Sequence, residues 1–76
     1  MRLYKEKDSI FGSRIIELRE QNHMTQKDLA EELGFDRSSI HSWERKGKEP
    51  SYSTLKKIAK LFSVTTDYLL GLEDFN

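Results

Sequence analysis

The sequence contains no cysteine, so neither a disulfide framework nor a thiolate metal site can reinforce its core. Proline occurs once, at Pro50, and glycine four times, which leaves no Pro/Gly-rich linker and no low-complexity segment. No run approaches the ~20 apolar residues of a membrane span, and the opening MRLYKEKDSI has no signal-peptide apolar region. A cytoplasmic protein with no membrane partner is therefore expected. Sustained period-two alternation is absent, as are Asn-Gly and Asp-Gly hairpin turns, so strands are not expected. Net charge is absent too: 13 basic and 13 acidic residues cancel, which argues against a nucleic-acid partner if only totals are considered. With 76 residues and 36% hydrophobic content, the chain is expected to form one small domain held by packing and well-capped helices.

Five helix signals are present. Phe11, Ile15 and Leu18 fall at i, i+4 and i+7 and mark the buried face of a first helix from Ser9 or Ile10 to Asn22. Thr25 is a capping hydroxyl with Asp28 three residues on, and Met24 can staple against Leu29. That second helix stops at Gly34. The same grammar repeats at once: Asp36 caps, Arg37 is the first helical residue, Phe35 faces Ile40, and Gly47 follows the end near Glu44 to Lys46. Ser51 caps a fourth helix with Leu55, Ile58, Ala59 and Phe62 on one face. Thr65 opens a short fifth, with Val64 and Leu69 as its staple pair and Gly71 as its stop. Two short helices meeting at a tight glycine turn have the sequence form of a helix-turn-helix.

The third helix carries the chemistry. At roughly 100° per residue, Arg37, Ser38, His41, Ser42 and Arg45 share an arc of about 140°, with Ile40 and Trp43 opposite. Each side chain on that arc can donate a hydrogen bond, and none is apolar or acidic. A DNA major groove, with base edges flanked by phosphates, requires such a face. The charge distribution agrees: Arg37, Arg45, Lys46 and Lys48 stand against Glu44 alone between positions 37 and 48. Any amphipathic helix exposes polar residues, but serines are poor helix formers on a merely solvated face, and an arginine in the first turn opposes the helix dipole.

Here the chain resembles the Cro/phage-repressor type of helix-turn-helix, the XRE family. The resemblance runs over residues 10 to 71, through Thr25-Gln26, Leu29-Ala30, Gly34, Ile40, Trp43-Glu44, Gly47, Pro50 and Asp67-Tyr68-Leu69-Leu70-Gly71 in order. It implies an all-α, compact five-helix, lambda-repressor-like domain over 10–71, an N-terminal arm at 1–9 and a C-terminal tail at 72–76. It also implies a transcriptional regulator, a repressor, that binds a palindromic double-stranded operator as a homodimer. Arg37, Ser38 and Ser42 fall where base edges are read. Gln26, Lys27, His41, Arg45 and Lys46 fall on the DNA backbone side, Gln26 as the phosphate clamp. Arg19 and Glu44 match a pair joining the first helix to the end of the third. One departure stands out: two residues separate Glu44 from Gly47 where the family has one, so the following loop is expected to be longer.

Other chemistries find little footing. Ser39 and His41, two apart on one helix, point in different directions, so Asp36, Ser39 and His41 cannot form a hydrolytic triad. His23 and His41 have no metal-ligand spacing, and there is no glycine-rich phosphate loop, so neither an enzyme nor a cofactor is expected. Trp43 reads as a core wedge, and Lys56, Lys57 and Lys60 as a solvated face with phosphate contact as the second reading. Leu70, Leu72 and Phe75 lack a home in one subunit once Leu69 is taken by its staple and Tyr68 packs beside the fourth helix. They are the expected dimer contact. The competing class is a protein-interaction or antitoxin-type module built on the same fold.

Overall fold

Four side chains, Thr25, Asp36, Ser51 and Thr65, sit on extended backbone and accept from the N–H three residues on. These N-caps divide the chain. The computed structural model describes residues 10–73, where the regular structure is helical throughout. Helix α1 spans Ile10–Gln21, α2 Gln26–Leu33, α3 Arg37–Arg45, α4 Tyr52–Phe62 and α5 Thr66–Leu70. At Thr25 the capping is reciprocal: its hydroxyl accepts from the Asp28 N–H at 3.0 Å, and the Asp28 carboxylate accepts from the Thr25 N–H at 2.9 Å. Helix α2 ends at Gly34, whose φ of +81° is left-handed, and the Phe35 N–H turns back to the Ala30 carbonyl at 2.8 Å.

The end of α3 differs from the others. Wrapping bonds span five residues at Phe35–Ala30, Val64–Ala59 and Leu72–Asp67, but six at α3, from the Lys48 N–H to the Ser42 carbonyl. The extra residue before Gly47 widens this last turn.

Each helix sends one fully enclosed aliphatic side chain into a common core: Ile15, Leu29, Ile40, Ile58 and Leu69. Burial of each contributes roughly 1.5–3 kcal/mol before entropy. Helix α3 packs on α1 and α2, α4 touches α2, and α5 rests on α1 and α4. Where α1 crosses α3, Gly12 is buried; a methyl group there would lie 2.7 Å from the Trp43 carbonyl oxygen and 2.9 Å from that of Glu44. The small residue sets how closely the two helices approach.

Three contacts add to what the sequence implies. Tyr68 makes polar contacts with α1: its hydroxyl donates to Glu17 at 3.1 Å, and its carbonyl accepts from Arg14 Nε at 3.0 Å. The Arg14 guanidinium also lies 4.3 Å from the Tyr68 ring centroid. Burial, aided by the bond to Glu17, pushes the Tyr68 phenol up from its ordinary pKa. Phe35 stays partly exposed and sets its ring edge-on to Trp43, with centroids 5.3 Å apart. Lys57, expected to be solvated, donates to the Leu33 carbonyl at 3.0 Å and satisfies the open end of α2. Leu70 and Leu72 are exposed; Phe75 and the 1–9 arm lie outside the described residues.

Candidate nucleic-acid interface

Helix α3 begins where Asp36 gathers three donors: the Ser39 N–H at 3.1 Å, the Ser39 hydroxyl at 2.9 Å and the Ser38 hydroxyl at 3.0 Å. These bonds, Ser39 foremost, hold the Asp36 carboxylate below its usual pKa. The negative cap also offsets the Arg37 charge in the first turn. Ile40 and Trp43 anchor the inner face, Trp43 edge-on to Phe11 with ring centroids 6.2 Å apart. The outer face is left with Arg37, Ser38 and Arg45 exposed and His41 and Ser42 half-buried. Lys27 and Lys46 are exposed nearby. The Ser38 hydroxyl is turned toward Asp36, which leaves its oxygen free to accept.

Beneath this face lies a hydrogen-bonded chain of four residues from three helices. The Glu44 side chain is fully shielded from solvent and that of Arg19 is 13% exposed. Arg19 donates through Nε to Glu44 Oε2 at 2.7 Å and through Nη2 to Oε1 at 3.2 Å, a two-pronged pairing. Its Nη1 donates to the Met24 carbonyl at 2.9 Å, so the guanidinium also pins the entry to α2. The Glu44 carboxylate raises the Arg19 pKa above its ordinary value, chiefly by accepting these bonds. Gln26 then donates from Nε2 to Glu44 Oε1 at 2.9 Å, and its Oε1 accepts from Arg37 Nη1 at 3.2 Å.

Because Glu44 can only accept, the amide of Gln26 must turn its NH2 inward. Its carbonyl oxygen therefore faces out, toward a cation. That is the polarity Arg37 needs. A buried ion pair thus sets the orientation of an exposed arginine through one amide. The residues are separated by 18 positions (Gln26 to Glu44) and 11 (Gln26 to Arg37), so no local spacing announces the contact. The only advance sign was the Arg19–Glu44 pairing implied by resemblance. Gly12 and Lys57, which place α3 and α2, carried no sign of their roles at all.

Among the described residues no group of three or more His, Cys, Asp or Glu side chains could hold a metal ion. No buried side-chain nitrogen or oxygen there lacks a partner, and no helix is long and apolar enough to cross a membrane.

Comparison with known proteins follows the same geometry. The helix-turn-helix family profile matches residues 15–69. The HTH-type transcriptional regulator ImmR of Bacillus subtilis is 38% identical over 63 residues, covering 83% of this chain and 50% of the relative. The HTH-type transcriptional activator BcrR of Enterococcus faecalis is 41% identical over 64 residues, covering 84% of this chain and 31% of its own length. This chain thus spans half or less of those two relatives. Among solved structures, the P22 c2 repressor in complex with a synthetic operator superposes with a TM-score of 0.76 at 30% identity, covering 83% of this chain and 96% of that one. From family profile, relatives and fold alike, the chain belongs to the helix-turn-helix family of the Cro/phage-repressor type, with a lambda-repressor-like five-helix domain.

Proposed function

We propose that this chain is a sequence-specific double-stranded DNA-binding transcriptional regulator, a repressor, that reads the major groove with the outward face of α3. The observation that carries this reading is the carboxylate-free outer face of α3, with Arg37 held at its leading end by Gln26. Arg37, Ser38 and Ser42 reach base edges; an arginine entering the groove at a helix N-terminus suits guanine, whose O6 and N7 both accept. Gln26, Lys27, His41, Arg45 and Lys46 hold the sugar–phosphate backbone on either side. Gln26 retains one amide hydrogen beyond that given to Glu44, which is free for a phosphate oxygen.

Binding as a homodimer is part of the proposal. Leu70 and Leu72 are 46% and 75% exposed, and a twofold contact between C-terminal segments would cover the same patch on both chains. So small an apolar patch suits a monomer–dimer equilibrium tightened by DNA. Selection of bound sequences from a random duplex pool tests the reading. The expected result is a motif of two inverted half-sites centred about one helical turn, ~34 Å, apart. A pool that returns no enriched sequence would overturn it. Repression is favoured by likeness to the P22 c2 repressor, whereas BcrR is named an activator. A reporter carrying the selected site upstream of a promoter should fall in output when this chain is expressed, and a rise would reverse that assignment.

A further inference from the structure

Carboxylates are distributed unevenly along this chain. Between Glu49 and Asp67 there is none, although 13 of the 76 residues are acidic. Within that gap α4 buries Thr54, Leu55, Ile58 and Ala59; it exposes Ser53, Lys56, Lys57 and Lys60, with Tyr52 and Leu61 at its two ends. These four, with Thr54, line a shallow groove of about 430 Å³. The three lysines are not equivalent. Lys57 is tethered to the Leu33 carbonyl, whereas among the described residues no carboxylate lies within ion-pair distance of Lys56 or Lys60.

The geometry points to this lysine-lined face of α4 as a second phosphate-binding surface, which takes the backbone of the same duplex that α3 reads. The inference rests on the proposed DNA-binding reading and extends it beyond the helix-turn-helix and its following loop. Two features favour phosphate over a protein partner. Lysine is depleted from protein–protein interfaces, whose centres are aromatic and apolar, and the groove is lined by lysines and hydroxyls alone. Mobile ammonium groups suit a row of phosphates, which need charge rather than a fixed fork. Continuity favours the same duplex: Arg45, Lys46 and Lys48 lead from α3 directly into α4, with Glu49 the one carboxylate between Arg45 and Lys60. Lys56 and Lys60 continue this basic track to about 6 and 12 Å from the start of α4, at ~1.5 Å per residue.

The test is the double variant Lys56→Gln/Lys60→Gln, which keeps side-chain length and leaves the Lys57 tether in place. Binding to a duplex bearing the selected site is titrated across salt concentrations, beside thermal unfolding of the free protein. Losing two phosphate contacts should flatten the slope of log K against log salt by about 1.8, so that affinity falls roughly 12-fold less between 50 and 200 mM salt. The selected motif and the melting temperature should not change. A slope identical to that of the unmutated chain overturns the proposal. A slope unchanged on single duplexes, with loss of protein-dependent bridging between two duplexes in sedimentation, overturns the same-duplex assignment. Failure of the unmutated chain to bind any duplex would instead sink the underlying DNA-binding reading.

Discussion

Glu44→Ala tests the most consequential contact in this fold. The truncation removes both carboxylate acceptors of the Arg19 guanidinium and the partner of Gln26 Nε2. Breaking a buried pair from one side costs about 3–5 kcal/mol, because the remaining charge is stranded. Glu44 is fully shielded, but Arg19 keeps 13% exposure and its bond to Met24, which favours the lower half of that range, about 3–4 kcal/mol. A domain of this length has a total stability of roughly 4–11 kcal/mol, so the loss is a large fraction of it. At about 4–8 °C per kcal/mol, the melting temperature should fall by ~12–32 °C. The single, buried Trp43 gives a fluorescence signal for the transition. The double variant Arg19→Met/Glu44→Leu removes both charges and should regain most of the loss, since paired apolar replacement of a buried ion pair is often neutral. A Glu44→Ala protein melting within about 4 °C of the original, a loss below roughly 1 kcal/mol, would refute the reasoning. So would a double variant no more stable than the single one.

Arg37→Ala should cost roughly 1–3 kcal/mol at one base pair of the selected site and relax preference there, as read by competition with site variants. Equal loss on specific and random DNA would make Arg37 a phosphate contact, the behaviour expected instead of Arg45→Ala, which should lower the salt slope by about 1. Gly12→Ala places a methyl group against two backbone carbonyls that cannot rotate away. Overpacking of about 1–3 kcal/mol then outweighs the ~1 kcal/mol gain in helix propensity, so denaturant unfolding should show net destabilisation, and a more stable variant would contradict the close approach. Asp28 and Asp36 both have folded pKa values below the ordinary aspartate value, held down by Thr25 and by Ser39 and Ser38 respectively. Depressed values stabilise the fold above the unfolded pKa and lose that effect as pH falls through the folded one. The melting temperature should therefore fall faster below about pH 4 than in Asp28→Asn/Asp36→Asn, whose caps do not titrate; parallel curves would disprove the linkage. Leu70→Asp with Leu72→Asp should leave the fold intact and abolish cooperative binding to a palindromic site, whereas unchanged cooperativity would place the dimer contact elsewhere.

What the sequence by itself determined is local and periodic. N-caps at Thr25, Asp36, Ser51 and Thr65, stops at Gly34 and Gly71, and apolar spacing at 3.6 residues sufficed to place four helix starts and the inner face of each helix. A cap and its N3 partner are neighbours whatever the rest of the chain does. Two corners carried no such signal: His23 and Ser63 adopt φ of +56° without being glycine, held there by the helices that they join. The outer arc of α3 was also legible, because angular position around a helix follows from residue count. Tertiary structure alone decided how that arc is held. Gln26, Glu44, Arg19 and Arg37 come together only when α1, α2 and α3 pack, and Gly12 limits how near α1 and α3 approach. The Tyr68 hydroxyl meets the Glu17 carboxylate of α1, and Lys57 the open Leu33 carbonyl of α2, only once the core has closed. Contacts of this kind depend on relative helix placement, which no period in a one-dimensional pattern encodes.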